Sequence, residues 1–287
     1  MLSLRYEICD VFTDRALEGN ALAVFTDARE LDQVTMQKLA RELNLSESSF
    51  VLPPSTPEAD ARIRIFTPTM ELPFAGHPTL GTAFVLAKDL SQPVIRLETA
   101  RGIVPVRMTR VDGRSTFGWM SQPLPRVAPY HATHEALAAL DMEAGPLPVE
   151  LYDNGPHYVF IEAASPSVVA KLRPDLGRLA RLGSTVFSVF AGEGRRWKCR
   201  VFGPGEGIPE DPATGAAAGP LALHLARHGR IAFGDEIVID QGAEIGRPST
   251  LHARVLGSAR NLESVEVGGS AVVIGSGELR LPRALRT

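Results

Sequence analysis

The sequence predicts an α+β protein built as two pseudo-symmetric, barrel-like domains, each a strongly curved, mainly antiparallel sheet around a central helix. Three observations carry this. First, two segments half a chain apart share one pattern. Phe66-Thr67-Pro68 leads to Gly76-His77-Pro78-Thr79-Leu80-Gly81-Thr82-Ala83, and Phe202-Gly203-Pro204 leads to Glu210-Asp211-Pro212-Ala213-Thr214-Gly215-Ala216-Ala217. Each reads as Phe-x-Pro, an acidic glycine-bearing turn, then Pro-x-x-Gly-x-Ala and an apolar run; aligning His77 with Asp211 sets the repeat at 134 residues. Second, short strand patterns outnumber helical ones around both segments, which disfavours a doubly wound βαβ sheet. Third, the stretch Gln122–His131 is proline-rich and lacks periodicity, so it marks a boundary between a domain over 1–125 and a domain over 126–287. The last strand is free to return to the first domain.

The elements follow in order. Tyr6–Phe12 suits a strand, Gly19-Asn20 a turn, and Ala21–Phe25 the returning strand. Leu31, Val34, Leu39, Ala40 and Leu43 share one helical face. Asp32 can cap that helix and Asn44, tolerant of left-handed geometry, can end it. Strands are expected at Ser49–Leu52 and at Ala61–Phe66, where Arg62-Ile63-Arg64-Ile65 alternates with period two. Thr79–Leu86 is an apolar helix whose Gly81 and Ala83 permit close packing, and Val94–Met120 is rich in strands. The second half repeats the plan: a helix at Glu135–Leu140, strands at His157–Ile161, Thr185–Phe190 and Trp197–Phe202, and a helix at Ala213–Arg227. Short strands at Glu236–Ile239, Leu251–Leu256 and Ser264–Val267 complete it.

Composition narrows the function classes. A chain of 287 residues with 44% hydrophobic content can bury two cores. Charge is nearly balanced, 30 basic against 33 acidic residues, so nothing suggests a nucleic-acid partner. Cys9 and Cys199 fit no Cys-x-x-Cys spacing and read as free buried thiols of a reducing compartment. Arg5, Glu7 and Asp10 interrupt any leader-like run, and no stretch approaches a membrane span. A soluble cytoplasmic protein is expected.

A helix N-terminus presents unpaired N–H groups and a partial positive charge, so it receives carboxylates well. Two such starts facing each other across a cleft would hold a small anion, with His77 and Asp211 pointing into it. Each residue also has an ordinary reading, Asp211 as a helix N-cap and His77 as a structural turn histidine. Glu47, in Asn44-Leu45-Ser46-Glu47-Ser48-Ser49-Phe50, is a solvated loop carboxylate unless burial makes it a usable proton shuttle. His224 and His228 lie four apart on a helix without the Glu of a His-Glu-x-x-His site, which favours a plain helix surface over a metal site. Gly203-Pro204-Gly205-Glu206-Gly207 fits no phosphate loop, and there is no serine nucleophile elbow.

The chain resembles the PhzF-like isomerases of phenazine biosynthesis, which share the diaminopimelate epimerase fold. The resemblance runs through Leu17-Glu18-Gly19-Asn20, Asn44-Leu45-Ser46-Glu47-Ser48, Ile65-Phe66-Thr67-Pro68, Glu71-Leu72-Pro73-Phe74-Ala75-Gly76-His77-Pro78, Asn154-Gly155-Pro156 and Gly194-Arg195-Arg196-Trp197. It continues in Glu210-Asp211, Ala217-Ala218-Gly219-Pro220-Leu221-Ala222, Gln241-Gly242 and Glu244-Ile245-Gly246-Arg247-Pro248-Ser249. It implies an enzyme that needs no metal or organic cofactor, takes a small cyclic amino acid, trans-2,3-dihydro-3-hydroxyanthranilate, and works as a homodimer. Glu47 would move a proton on the ring to give an aminoketone, while His77 and Asp211 position the substrate and assist. Gly76 and the N–H groups of Gly215 and Ala216 would bind substrate, the latter two receiving its carboxylate. The paired cysteines of diaminopimelate epimerase and proline racemase have no counterpart in Cys9 or Cys199. One departure stands out: Ala216 replaces the family's serine, a hydroxyl worth about 1.5–3 kcal/mol when it bonds a charged group. It keeps two alternatives open, an isomerase or epimerase of another small cyclic amino acid and a catalytically silent carboxylate-binding homologue.

Overall fold

The computed structural model describes residues 1–90 and 92–282. It is a mixed α/β chain with extensive sheet and few helices, falling into two compact units. One comprises Met1–Met120 and the chain from Gly269 on; the other comprises Ser121–Gly268.

In the first unit, β1 (Leu2–Val11) and β2 (Asn20–Phe25) pair antiparallel, and α1 (Gln33–Leu43) carries the chain to β3 (Glu47–Leu52), parallel to β2. β4 (Ala61–Phe66) returns antiparallel, and the two-residue β5 (Glu71–Leu72) pairs with its end before α2 (Gly76–Leu86). β6 (Val94–Thr99) then runs parallel to β4, followed by antiparallel β7 (Gly102–Val111) and β8 (Arg114–Gln122).

The second unit opens with β9 (Arg126–Pro129) and α3 (Thr133–Leu140). β10 (Glu150–Asp153) pairs antiparallel with both β9 and β11 (His157–Glu162). Two short helices, α4 (Pro166–Lys171) and α5 (Leu176–Ala180), lead to β12 (Thr185–Glu193), parallel to β11. β13 (Arg196–Gly203) returns antiparallel, and short β14 (Ile208–Asp211) pairs with its end before α6 (Gly215–Arg227). β15 (Glu236–Gln241) runs parallel to β13, then β16 (Ser249–Gly257) and β17 (Leu262–Gly269) follow antiparallel. The order of parallel and antiparallel steps from β1 to β8 thus recurs from β10 to β17. The last strand, β18 (Ala271–Leu281), pairs antiparallel along β1 in the first unit.

Local chemistry accounts for α1 closely. Asp32 accepts a hydrogen bond from Thr35 N at 2.7 Å, and Asn44 ends the helix at φ 50°. Its buried face is Met36, Leu39 and Ala40 rather than one including Val34, which is exposed. Positions 36, 39, 40 and 43 keep the three-four spacing that meets Phe25, Phe50 and Phe66. Phe25 and Phe50 stack with centroids 4.7 Å apart, and Phe66 meets Phe50 edge to face at 5.5 Å. In the second unit α3, α4 and α5 bury Leu140, Val169 and Leu179 against Phe187, Val189 and Phe202.

Helices α2 and α6 are of another kind: uncharged through Val85 and Ala226, they are buried on every side over those spans. Such a helix is held by close approach of backbone to sheet. A Cβ on Gly81 would lie 2.7 Å from both Val11 Cγ2 and Leu22 Cδ2, and one on Gly219 only 2.4 Å from Val265 Cγ1. Both helices start earlier or later than the sequence predicts, at Gly76 instead of Thr79 and at Gly215 instead of Ala213.

Pro220 sits inside α6 and has no N–H to give the carbonyl of Ala216. Asn154 Nδ2 takes that place, donating to Ala216 O at 2.9 Å, and Gln122 Nε2 donates to Gly215 O at 2.8 Å. Truncating Asn154 to Ala leaves a buried carbonyl unsatisfied, so urea unfolding should show a loss of about 1–3 kcal/mol. Pro220→Ala restores a backbone N–H at the same place. The Asn154→Ala loss should therefore shrink in the Pro220→Ala background, and strictly additive losses would overturn this account.

Candidate active site

In the first unit the parallel pair β2–β3 starts two polar residues at one end of the sheet. Asn20 opens β2, Glu47 opens β3, and Glu47 pairs in register with Leu22. The first turn of α2 meets them there. His77 Nδ1 lies 3.2 Å from Asn20 Nδ2 and 3.4 Å from Glu47 Oε2. Glu47 is therefore no loop carboxylate. It begins a strand, is 6% exposed, and stands beside an imidazole that is 2% exposed.

The amide N–H of Asn20 can only donate, so Nδ1 of His77 accepts and the ring proton belongs on Nε2. Among the described residues no atom bonds that Nε2. Burial drives the His77 pKa down to about 3. His77 is thus neutral near pH 7, and its contact with Glu47 is not an ion pair. A neutral imidazole with a directed N–H is a hydrogen-bond donor and a weak acid, and it stands next to the carboxyl group of Glu47.

In the second unit Asp211 ends β14, three residues before Thr214, the N-cap residue of α6. It is not the helix cap. Thr214 Oγ1 donates to Asp211 Oδ2 at 2.6 Å and so makes no cap bond of its own. Gln241, the last residue of β15, braces the corner: Nε2 donates to Asp211 O at 2.8 Å and to Thr214 Oγ1 at 2.9 Å, while Oε1 accepts from Thr214 N at 3.2 Å. Next to Asp211, Glu210 is gripped by buried Arg200 through two bonds of 2.8 and 2.7 Å. Arg200 Nη1 also donates to Leu172 O, just past α4, at 2.8 Å. Gly215 and Ala216 are the first two residues of α6, and Gly76 and His77 the first two of α2; neither helix start carries a side-chain cap.

The two helix starts correct the expected repeat. Leu72-Pro73-Phe74-Ala75-Gly76-His77 and Asp211-Pro212-Ala213-Thr214-Gly215-Ala216 share one succession of strand end, Pro-x-x linker and helix start. The offset is 139 residues, from His77 to Ala216. His77 and Asp211 are not equivalent: the counterpart of His77 is Ala216, and that of Asp211 is Leu72. The alignment had used Pro78-Thr79-Leu80-Gly81, a second Pro-x-x-Gly that lies inside α2. Asn20, Thr214 and Gln241 were missed as site residues. Asn20 and Gln241 lie in segments that carry the family resemblance, and that was the available signal.

The histidines of α6 also differ from expectation. His224 is fully buried rather than on a helix surface, packed among Tyr152, Phe160 and Phe190. The two cysteines are free and buried, and burial pushes both thiols up to about 12. Neither is a thiolate nucleophile.

The sign of the His77 shift sets a pH dependence. Above about pH 6.5 folded and unfolded chains both hold a neutral ring; below it the unfolded chain takes up a proton that the folded one refuses until about pH 3. This contribution to stability is complete above pH 6.5 and is lost as the pH falls towards 3, by up to about 1.4 kcal/mol per pH unit. Denaturant unfolding at pH 7, 6 and 5 should show a decline that is shallower in His77→Gln. An identical slope in that variant would refute the assignment.

The PhzC-PhzF family, described as phenazine biosynthesis-like protein, matches residues 9–277. The trans-2,3-dihydro-3-hydroxyanthranilate isomerase of Pseudomonas aeruginosa is 46% identical over 277 residues, covering 96% of this chain and 99% of the relative. Among solved structures, a "predicted epimerase" of the same organism is 33% identical with a TM-score of 0.81, covering 97% of this chain and all of that one. A hydroxyproline epimerase of Agrobacterium vitis, at 14% identity and TM-score 0.63 over 96% of this chain and 92% of its own, shares the fold alone. The chain belongs to the PhzC-PhzF family of phenazine biosynthesis-like proteins.

Proposed function

We infer that the chain is an isomerase acting on trans-2,3-dihydro-3-hydroxyanthranilate. The 46% identity with the curated isomerase over nearly the whole of both chains carries this reading. We propose that each unit is a barrel-like curved sheet closed around its own central helix, α2 or α6, with pseudo-symmetric connectivity, and that the enzyme is a cytoplasmic homodimer.

In the proposed mechanism Glu47 removes the proton from the hydroxyl-bearing ring carbon. The electron pair of that C–H bond moves into the conjugated system, and the same carboxyl returns the proton to another ring carbon. No atom is lost, and the resulting enol tautomerises to the aminoketone. One base serves both carbons when they present the same ring face. His77, neutral and with its proton on Nε2, donates to the substrate and steadies charge developing on it. Asp211, held by Thr214 and Gln241, orients the polar groups of the ring. Gly76 lines the substrate at the start of α2, and the first amides of α6, at Gly215 and Ala216, receive its carboxylate. The steps require no metal or organic cofactor.

Ala216 supports a second reading, an isomerase or epimerase of a different small cyclic amino acid, because its methyl group cannot replace a serine hydroxyl at the carboxylate. The third, a silent carboxylate-binding homologue, predicts binding without exchange of substrate protons with solvent.

Glu47→Gln should lower kcat by about 10²–10⁴-fold, as expected for loss of a general base, with the fold intact by circular dichroism. In deuterated water the wild type should incorporate label into product or recovered substrate. Wild-type turnover in Glu47→Gln would end the single-carboxylate mechanism, and label-free binding would favour the silent homologue. Ala216→Ser tests the substrate: it should lower KM for dihydro-hydroxyanthranilate about tenfold if the hydroxyl reaches the carboxylate. An unchanged or raised KM, with better turnover of another cyclic amino acid, would favour the second reading.

A further inference from the structure

Away from the proposed active-site residues, the second unit gathers another set of chemically active groups. His224 lies in the last turn of α6, His228 is its C-cap four residues on, and Glu150 at the start of β10 reaches both. Glu150 Oε2 is 3.3 Å from His224 Nδ1 and 3.0 Å from His228 Nε2. One ligand atom from each residue lies within 4.8 Å of the others. The same carboxylate oxygen meets Tyr152 Oη at 3.0 Å and Arg227 Nη1 at 2.9 Å. Arg227 Nη1 also donates to Tyr152 Oη at 2.7 Å, and Tyr152 Oη is 3.1 Å from His224 Nδ1.

Two imidazoles, a phenol and a guanidinium thus crowd one oxygen, more groups than its lone pairs can serve as plain hydrogen bonds. The geometry points to a transition-metal site of the zinc class, with His224 Nδ1, His228 Nε2 and Glu150 Oε2 as ligands and Arg227 supplying the positive charge in its place. Zinc bonds of about 2.0–2.2 Å put tetrahedral ligand atoms about 3.3–3.6 Å apart; the two carboxylate–imidazole separations, 3.3 and 3.0 Å, lie near that edge length, and the remaining pair lies within 4.8 Å. The His224 and His228 rings lie side by side at the end of α6, centroids 4.8 Å apart, and two imidazoles with one carboxylate suit zinc better than calcium or magnesium. Tyr152 is placed to act as a fourth donor or to hold a bound water.

Access and charge are consistent with this site. The Arg227 side chain is 31% exposed and that of His228 is 23% exposed, so the guanidinium can swing out and the ion can enter from that side. A dication on the last turns of α6 also lies at the negative end of the helix dipole. Because Glu150 comes from β10, a bound ion ties strand to helix, and its effect is to stabilise the second unit.

The test uses untagged full-length protein stripped with a chelator and titrated with Zn²⁺ by calorimetry, followed by metal analysis after dialysis. One ion per chain is expected, with affinity at least about 100-fold weaker in His228→Ala and in Glu150→Gln, from loss of a direct ligand. Arg227→Gln should tighten binding about tenfold by removing the competing cation. Co²⁺ in place of Zn²⁺ should give the intense visible absorption of a four-coordinate centre, which Arg227→Gln retains and His228→Ala loses. Circular dichroism of the His228→Ala and Glu150→Gln proteins separates ligand loss from misfolding. Failure to take up Zn²⁺, or uptake with the same affinity in both ligand variants, would overturn the proposal.

Discussion

A helix buried on every side has to leave its ends to groups from elsewhere in the chain, and this constraint shapes both α2 and α6. Their faces are covered by apolar and small residues, so neither start has a side chain to spare for its own amides. At α6 the nearest candidate, the Thr214 hydroxyl, is committed to Asp211. Neither start therefore has a side-chain cap, and the electrostatics of a helix start favours an anion there. The same constraint acts one turn later, where Pro220 withholds an N–H and Asn154 must supply one from outside the helix. Gly219 belongs to this arrangement too, since a Cβ there would stand 2.5 Å from Gln122 Oε1. Small residues, an internal proline and two buried amides are one solution to one problem.

What the sequence made legible divides along the same line. α1 could be read because its determinants are local: Asp32 caps, Asn44 terminates, and the period places Leu39 and Ala40 inward. The paired turns could be recognised but not aligned, because the first half contains two Pro-x-x-Gly spacings only five residues apart. Only the pairing of β5 on β4 and of β14 on β13 selects Pro73 over Pro78. Val34 was misplaced because an amphipathic pattern does not reveal where a helix meets its sheet. The surroundings of His224 were out of reach altogether. Glu150 and Tyr152 come from a strand more than seventy residues earlier, and nothing in the helix itself announces them.

The buried thiols separate fold from chemistry. The likeness to a hydroxyproline epimerase carries the arrangement of strands and helices, and at 14% identity it carries nothing about catalytic groups. Within this chain Cys9 and Cys199 are held as thiols by burial, and Cys199 lies against Ser188 at 3.0 Å. The titratable pair at the start of α2 is instead a carboxyl and an imidazole. Chemistry with one carboxyl needs that group to accept and return a proton at two carbons, and a neutral neighbour suits this better than a charged one. A protonated His77 would lower the basicity of Glu47 by direct charge attraction; desolvation keeps the ring neutral and avoids that penalty.

The corrected offset changes how the repeat itself is understood. His77 and Ala216 occupy the same second position of their helices, one bearing an imidazole and the other a methyl group. The two helix starts share the strand end, the Pro-x-x linker and the lack of a side-chain cap, while the side chains beside them differ. In the first unit the start is furnished with Asn20, Glu47 and His77, all of which can exchange or direct protons. In the second it is furnished with Thr214, Gln241 and Asp211, which fix one another through a chain of bonds of 2.6 to 2.9 Å. The first set suits proton movement and the second suits rigid placement of a polar ligand. Position 216 lies with the second set, at the start of α6 and apart in sequence from Asn20, Glu47 and His77.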